Sequence, residues 1–309
     1  MAWKTGTSPG SDMLAATAIA QYVLTIGDRD TSFLMHPTVM AGWRDESGFL
    51  QAVAAEVPVI GLGLDQLAEE AEDDDADEIT PSGTSYTLTP ARQTGQMEVH
   101  GLFNALDGQI DMERLALALF LGGQRRLMAQ VAALFPSITA QVGSTGVALS
   151  WSVLKSAVDT NHAAGSRGIQ VAMLEDKQWQ DVSGDALTLG GAIEHQPEMR
   201  GFMGGSQGYS YKGRFLNGDL DIFTADSSII TTVGGGADYS GCVFGPEAFG
   251  MLTRAPVPDP SVVNAMQMGW MRAELDRYAR KDKTAVVTTG YSAAAIAQNG
   301  AATEVISAV

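Results

Sequence analysis

The chain has 309 residues, and 36 acidic against 19 basic side chains give it a formal charge of −17 at pH 7. That balance excludes a protein that grips nucleic acid through a basic patch, and a single cysteine, Cys242, excludes any intramolecular disulfide. Hydrophobic residues make up 45%, an ordinary globular share, and the length is enough for a sizeable core divided between two domains. No window approaches the roughly 18 consecutive apolar residues of a membrane-spanning helix, and the opening MAWKTGTSPGSDMLAATAIA lacks the uninterrupted apolar region of a secretory signal.

In chain order, Ser11-Asp12 is placed to cap a helix over Met13–Leu24, and Asp28-Arg29-Asp30 ends that pattern. Val57-Pro58-Val59-Ile60-Gly61-Leu62-Gly63 reads as a short strand. The run Glu69–Glu78, EEAEDDDADE, reads as a solvated acidic loop, without the glycine-broken alternation of a calcium loop. Ile79–Leu106 is a hairpin candidate: Tyr86 and Leu88 alternate with threonines, Pro90 to Gly95 supplies the turn, and Met97 and Val99 lie on the return strand. So little apolar mass on a long hairpin cannot make its own core, so it is expected to lie on another surface.

Asp107–Phe135 is the longest helical candidate, with Met112, Leu115, Leu119, Leu127, Val131 and Leu134 on one stripe and Pro136 as its stop. A helix of this length spans about 40 Å. Gly122-Gly123 in its middle predicts a bend or a close packing contact. A second helix is expected over Ser150–Ala163, with Trp151, Leu154, Ala157 and Val158 on one face. A buried strand over Arg167–Leu174 and a short helix over Glu175–Val182 holding Trp179 follow. The C-terminal part reads as strands over Trp270–Tyr278, Thr284–Thr289, Tyr291–Ala297 and Thr303–Ser307, with Asn299-Gly300 as a turn.

The most informative stretch is Tyr211–Gly250, YKGRFLNGDLDIFTADSSIITTVGGGADYSGCVFGPEAFG. A polar turn at Lys212-Gly213-Arg214, an extended run Leu220–Phe223, a glycine loop at Gly234–Gly236 and the apolar Cys242-Val243-Phe244-Gly245 read as short strands joined by tight turns. Cys242, between apolar neighbours, is expected to be a buried small hydrophobe. The stretch holds no nucleophile–base pair and no metal-ligand cluster. His36, His100, His162 and His195 are scattered without ligand spacing, and no cofactor is called for. Two stretches fit enzyme motifs in part. Val59–Asp65 resembles a dinucleotide fingerprint near Gly61-Leu62-Gly63, but it lacks the third glycine and runs into the acidic cluster. Gly204-Gly205-Ser206-Gln207-Gly208 fits a nucleophile elbow on paper, but no buried strand precedes it.

The Tyr211–Gly250 run resembles the late part of tailed-phage major capsid proteins. The segment from Asn161-His162-Ala163-Ala164-Gly165-Ser166-Arg167 to Met173-Leu174-Glu175-Asp176-Lys177-Gln178-Trp179-Gln180-Asp181 resembles a family pattern of helix, N-x-x-x-G-x-R, strand, hydrophobic-E/P-x-x-Q-W/Y-x-D, although proline is common there where this chain has Glu175 or Asp176. Arg272–Arg277, Val286–Tyr291 and Val305-Ile306 resemble the family's returning strands. Taken in order, the parts resemble an α+β Hong Kong 97-type capsid fold over nearly the whole chain. The resemblance implies an N-terminal arm at 1–50 and an extended loop region at 51–106. It further implies a peripheral domain with its spine helix at 107–145 and 265–309, and an axial domain at 146–264.

That resemblance implies assembly rather than turnover: pentamers and hexamers closing into an icosahedral shell around double-stranded DNA bound without sequence specificity. It also implies a virion location after assembly in the host cytoplasm, a portal partner, and no membrane. An encapsulin-like compartment shares the fold and is the alternative. The short arm implies a separate scaffold protein or none, and a decoration protein is a further possible partner. No lysine lies between Lys4 and Lys155, so no isopeptide cross-link through an extended-loop lysine is expected. The inter-subunit contacts expected on this reading are Tyr86 and Met97 on the loop and the acidic Glu69 and Asp74. Their basic counterparts are Arg125 and Arg126 in mid-helix and Arg272, Arg277 and Arg280 near the C-terminus.

Overall fold

The computed structural model describes residues 33–34, 36–44, 55–61, 82–100, 112–188, 211–246, 248–256, 265–268, 270–278 and 283–308. The expected helix at Met13–Leu24, the acidic run Glu69–Glu78 and the Gly201–Gly208 loop lie outside them. In chain order the elements are α1 (Pro37–Ala41), β1 (Trp43–Arg44), β2 (Ala55–Gly61), β3 (Ser82–Leu88), β4 (Ala91–His100), α2 (Met112–Ala132), β5 (Gln141–Gly143) and α3 (Trp151–Ala163). They continue with β6 (Gln170–Glu175), α4 (Asp176–Thr188), β7 (Tyr211–Phe215), β8 (Leu220–Ala225), β9 (Thr232–Val233) and β10 (Asp238–Phe244). The chain ends with β11 (Phe249–Arg254), β12 (Ala265–Met268), β13 (Met271–Tyr278), β14 (Lys283–Ile296) and β15 (Ala302–Ala308).

Two sheets organise these elements. The seven-stranded sheet runs β5-β15-β10-β6-β8-β7, with β9 also on β10. Its central strands bury both faces, and alternate residues serve two separate cores. Val171, Met173, Phe223, Cys242 and Phe244 point into a core shared with Leu127, Met128, Val131 and Phe135 at the C-terminal end of α2. Ala172, Leu174, Leu220, Ile222 and Val243 point the other way, onto Leu154, Ala157 and Val158 of α3 and Val182 of α4. Cys242 is wholly buried, as its neighbours predict.

The six-stranded sheet runs β1-β11-β14-β13-β12, with β4 also on β14. Its axis is β14, a single strand of 14 residues. Residues Lys283–Gly290 pair with β13, and Tyr291–Ile296 pair with β11. The two strands expected at Thr284–Thr289 and Tyr291–Ala297 are therefore one. Gly290 is not a break: a Cβ there would lie 2.7 Å from the ring of Trp270, so the glycine makes room for the indole.

Several other expectations are corrected. β3 and β4 do not form the hairpin expected at Ile79–Leu106. β3 pairs antiparallel with β2 from Ala55↔Leu88 to Gly61↔Ser82, while β4 pairs with β14. The antiparallel β2–β3 pair also overturns the nucleotide reading near Gly61, which needs a parallel strand leading into a helix. Lys212-Gly213-Arg214 is not a turn but part of β7, with an irregular register between Tyr211 and Gly213 and φ +134° at Gly213. The long helix ends at Ala132, and Pro136 sits in a 3₁₀ turn over Phe135–Ser137. The Gly122-Gly123 pair resolves into a packing contact, because a Cβ on Gly123 would meet the Met271 sulfur at 2.2 Å. β11 lies in the six-stranded sheet and β15 in the seven-stranded one.

The segment 36–44 joins the two sheets. β1 pairs parallel with β11, and the Met251 N–H donates to the Gly42 carbonyl at 2.9 Å. A Cβ on Gly42 would stand 1.8 Å from the Phe249 carbonyl oxygen, which is backbone and cannot swing aside. Gly42→Ala is expected to cost about 1–3 kcal/mol, read as a lower urea midpoint. Gly122→Ala, exposed and with nothing within 4 Å of the new Cβ, is expected to gain up to about 1 kcal/mol in the same assay.

Candidate functional site

The residues expected at subunit contacts occupy different settings. Tyr86, half-buried, packs with Leu88, Leu252, Ala293 and Ala295 of its own chain, its ring lying against Gly250. Met97 is half-buried on β4 opposite Val286. Arg125 is held within the chain: its guanidinium donates to Asp226 and, at 2.5 Å, to Ser228 Oγ. Its neighbour Arg126 is exposed. Arg272 is buried and pairs with Glu274 at 3.0 Å. Arg277 lies on β13 opposite Thr284, and Glu69, Asp74 and Arg280 lie outside the described residues. The structure brings none of the described ones together into one cluster.

Instead it assembles a buried polar site that the sequence reading did not single out. Asp221 on β8 is fully buried. Its Oδ2 accepts from His36 Nε2 at 2.8 Å and from Arg214 Nη2 at 2.7 Å, and its Oδ1 accepts from Arg214 Nε at 2.9 Å and Tyr211 Oη at 3.1 Å. The forked guanidinium suits a carboxylate from one side while the imidazole and phenol complete it. Burial alone would raise the Asp221 carboxyl, but the hydrogen bonds from His36 and Arg214 outweigh it and hold it below its ordinary value. Burial, then the Asp221 charge, pushes the Tyr211 phenol well above its ordinary value.

A His–Asp pair invites a catalytic reading, and its geometry opposes one. His36 is buried, its Nε2 faces Asp221, and its Nδ1 accepts the Thr38 N–H at 3.2 Å as the cap of α1. Both ring nitrogens are engaged, so neither is open to a substrate proton. The faint signal in sequence was His36-Pro37, a cap followed by proline at the first helical position.

Two further buried clusters explain the motif that carried the family resemblance. Asn161 on α3 donates to Gln170 Oε1 at 2.9 Å and to the Val243 carbonyl at 3.0 Å, and accepts from Thr303 Oγ1 at 2.7 Å. Gln178 on α4 accepts the Glu175 N–H at 3.0 Å and donates to Ser307 Oγ at 3.0 Å and the Val305 carbonyl at 3.2 Å. Both side chains fasten a helix to the seven-stranded sheet, so the motif is structural. Among the described residues there is no group of three metal-ligating side chains, and no helix is long and apolar enough to cross a membrane.

The Asp221 site yields a pH prediction. A carboxylate depressed in the folded state contributes stability that is complete above its unfolded value, about 4, and is lost as pH falls through the lower folded value. Asp221→Asn is expected to lower stability at neutral pH by about 3 kcal/mol and to flatten the decline below about pH 4. Urea titrations across that range check it, and an undiminished acid slope would contradict it.

No known family profile and no curated protein matches the chain. Solved structures do. The chain is similar to the head structure of Helicobacter pylori bacteriophage KHP40, with TM-score 0.60, 11% identity, and 86% of this chain and 87% of that one covered. It is also similar to the capsid of a native GTA particle, with TM-score 0.55, 13% identity and 91% of each chain covered. A third likeness is to the SrpI encapsulin of Synechococcus elongatus PCC 7942, with TM-score 0.54, 12% identity and 87% of each chain covered. These likenesses, each over most of both chains, give this chain the Hong Kong 97-type capsid fold.

Proposed function

We propose that the chain is a major capsid protein, which assembles as hexamers and pentamers into an icosahedral shell enclosing double-stranded DNA. The observation that carries this reading is the likeness to phage and GTA capsid subunits over 86–91% of the chain. A shell protein needs contacts that close into rings, and each contact can be weak because many act together. A charge of −17 suits a wall that holds DNA without binding its sequence. On this reading the chain is a virion component and not an enzyme. It is put together in the host cytoplasm and works with a portal and with separate scaffold or decoration proteins. The likeness to SrpI encapsulin supports a second reading, a compartment shell that encloses protein cargo.

Arg126 is the exposed member of the mid-helix pair, and the acidic run Glu69–Glu78 belongs to the connection between β2 and β3. We read Arg126 as a point where that run from a neighbouring subunit is received. Met97, Arg277 and Arg280 are further candidate contacts, with Tyr86 and Arg272 as supports behind them.

Negative-stain electron microscopy of the purified chain, alone and with neighbouring gene products, tests the proposal. Closed shells or rings of five and six are expected. Nuclease-protected DNA in native particles supports the capsid reading, and a protein cargo supports the compartment. Monomers or dimers under every condition would overturn both. Arg126→Glu is expected to abolish shells in the same assay while leaving the thermal transition within about 0.5 kcal/mol of the parent. Arg125→Glu is expected to destabilise the subunit itself, because it sets a second carboxylate against Asp226.

A further inference from the structure

The strap formed by residues 36–44 is fastened at its two ends by different means. Its back end is held through backbone: Gly42 lies tight against Phe249, and β1 lies in the six-stranded sheet. Its front end is held by side chains: His36 donates to Asp221 at 2.8 Å and packs edge-on against Phe223, Thr38 Oγ1 donates to the carbonyl of Ile169, just before β6, at 2.7 Å, and the buried Phe33 ahead of it packs on Phe223 and Phe244.

The receiving carboxylate keeps other partners when the strap leaves. Without His36, Asp221 still accepts both Arg214 hydrogen bonds and the one from Tyr211. Departure of the imidazole therefore leaves no orphaned buried charge, which is what ordinarily makes a buried pair costly to open. The apolar seat under the strap is also not filled to contact. A small gap remains among Phe33, Val39, Val131, Phe244, Phe249 and Met251, so the dispersion contacts that close packing gives are incomplete there.

We propose that the strap is a releasable tie between the two sheets, with the His36–Asp221 contact as its catch. The front end lifts from the seven-stranded sheet while the back end stays in the six-stranded sheet, and the sheets stay joined by the core in which Phe244 packs on Phe249. Stability is uneven across a fold, and a segment fastened in this way opens below the global unfolding energy.

Amide hydrogen exchange on the full chain, resolved by residue, tests the proposal. The Val39 and Met40 amides, which donate to the His36 carbonyl, report the front end, and the Met251 amide, which donates to the Gly42 carbonyl, reports the back end. In the unmodified chain, Val39 and Met40 are expected to exchange faster than Met251. His36→Ala and, separately, Thr38→Val are each expected to speed Val39 and Met40 by about tenfold or more. Met251 and the β8 amides should change by less than about twofold, since they sit beyond the released end. Equal acceleration at all these sites would make His36 an ordinary core residue and overturn the proposal, as would unchanged rates at Val39 and Met40. If His36→Ala fails to fold, the Thr38→Val variant and the unmodified chain decide by the same pattern.

Discussion

A buried carboxylate must be met by donors, and Asp221 sets much of the architecture by that requirement. It draws Arg214 and Tyr211 from β7 onto β8 and His36 from the N-terminal segment, more than a hundred residues away in sequence. Seating His36 in turn starts α1, because the imidazole's other nitrogen caps that helix. From α1 the chain reaches Gly42 and joins the second sheet. The two sheets of the fold are thus linked by a segment that one acidic side chain positions.

Around that link the packing divides by the two-residue period of the strands. β6, β8 and β10 bury both faces, so they read as continuous apolar runs, and their alternate residues feed separate cores. The end of α2 covers one face, and α3 and α4 cover the other. Asn161 and Gln178 fix those two helices with hydrogen bonds that leave few polar groups unmet. The six-stranded sheet depends on close approach: α2 comes near β13 at Gly123, Trp270 lies on Gly290, and Tyr86 lies on Gly250. Glycines there serve contacts rather than turns.

Much of this was legible in the sequence where the signal is local. The helical stripe through Leu127 and Val131, the face of α3 with Leu154, Ala157 and Val158, and the apolar run of β6 follow from period and composition. The order of these parts, with the Asn161 to Gln178 motif, pointed to the fold itself. Strand partners were not legible, because alternation along β4 is the same whether its neighbour is β3 or β14. Gly290 resembled a break because a glycine that receives an aromatic ring looks like one that turns the chain. At the candidate contacts, charge alone could not separate Arg125, committed to Asp226 about a hundred residues later, from the exposed Arg126. Nothing local marks His36, Arg214 and Asp221 as partners, because they come together only through the tertiary fold.

The most direct test of this account is a double-mutant cycle between His36 and Asp221, using His36→Ala, Asp221→Asn and the pair, with stability measured in urea at neutral pH. A coupling energy of about 1–3 kcal/mol is expected for a buried hydrogen bond to a charged group. A coupling indistinguishable from zero would mean that Asp221 does not hold the strap and that the tie between the two sheets lies elsewhere.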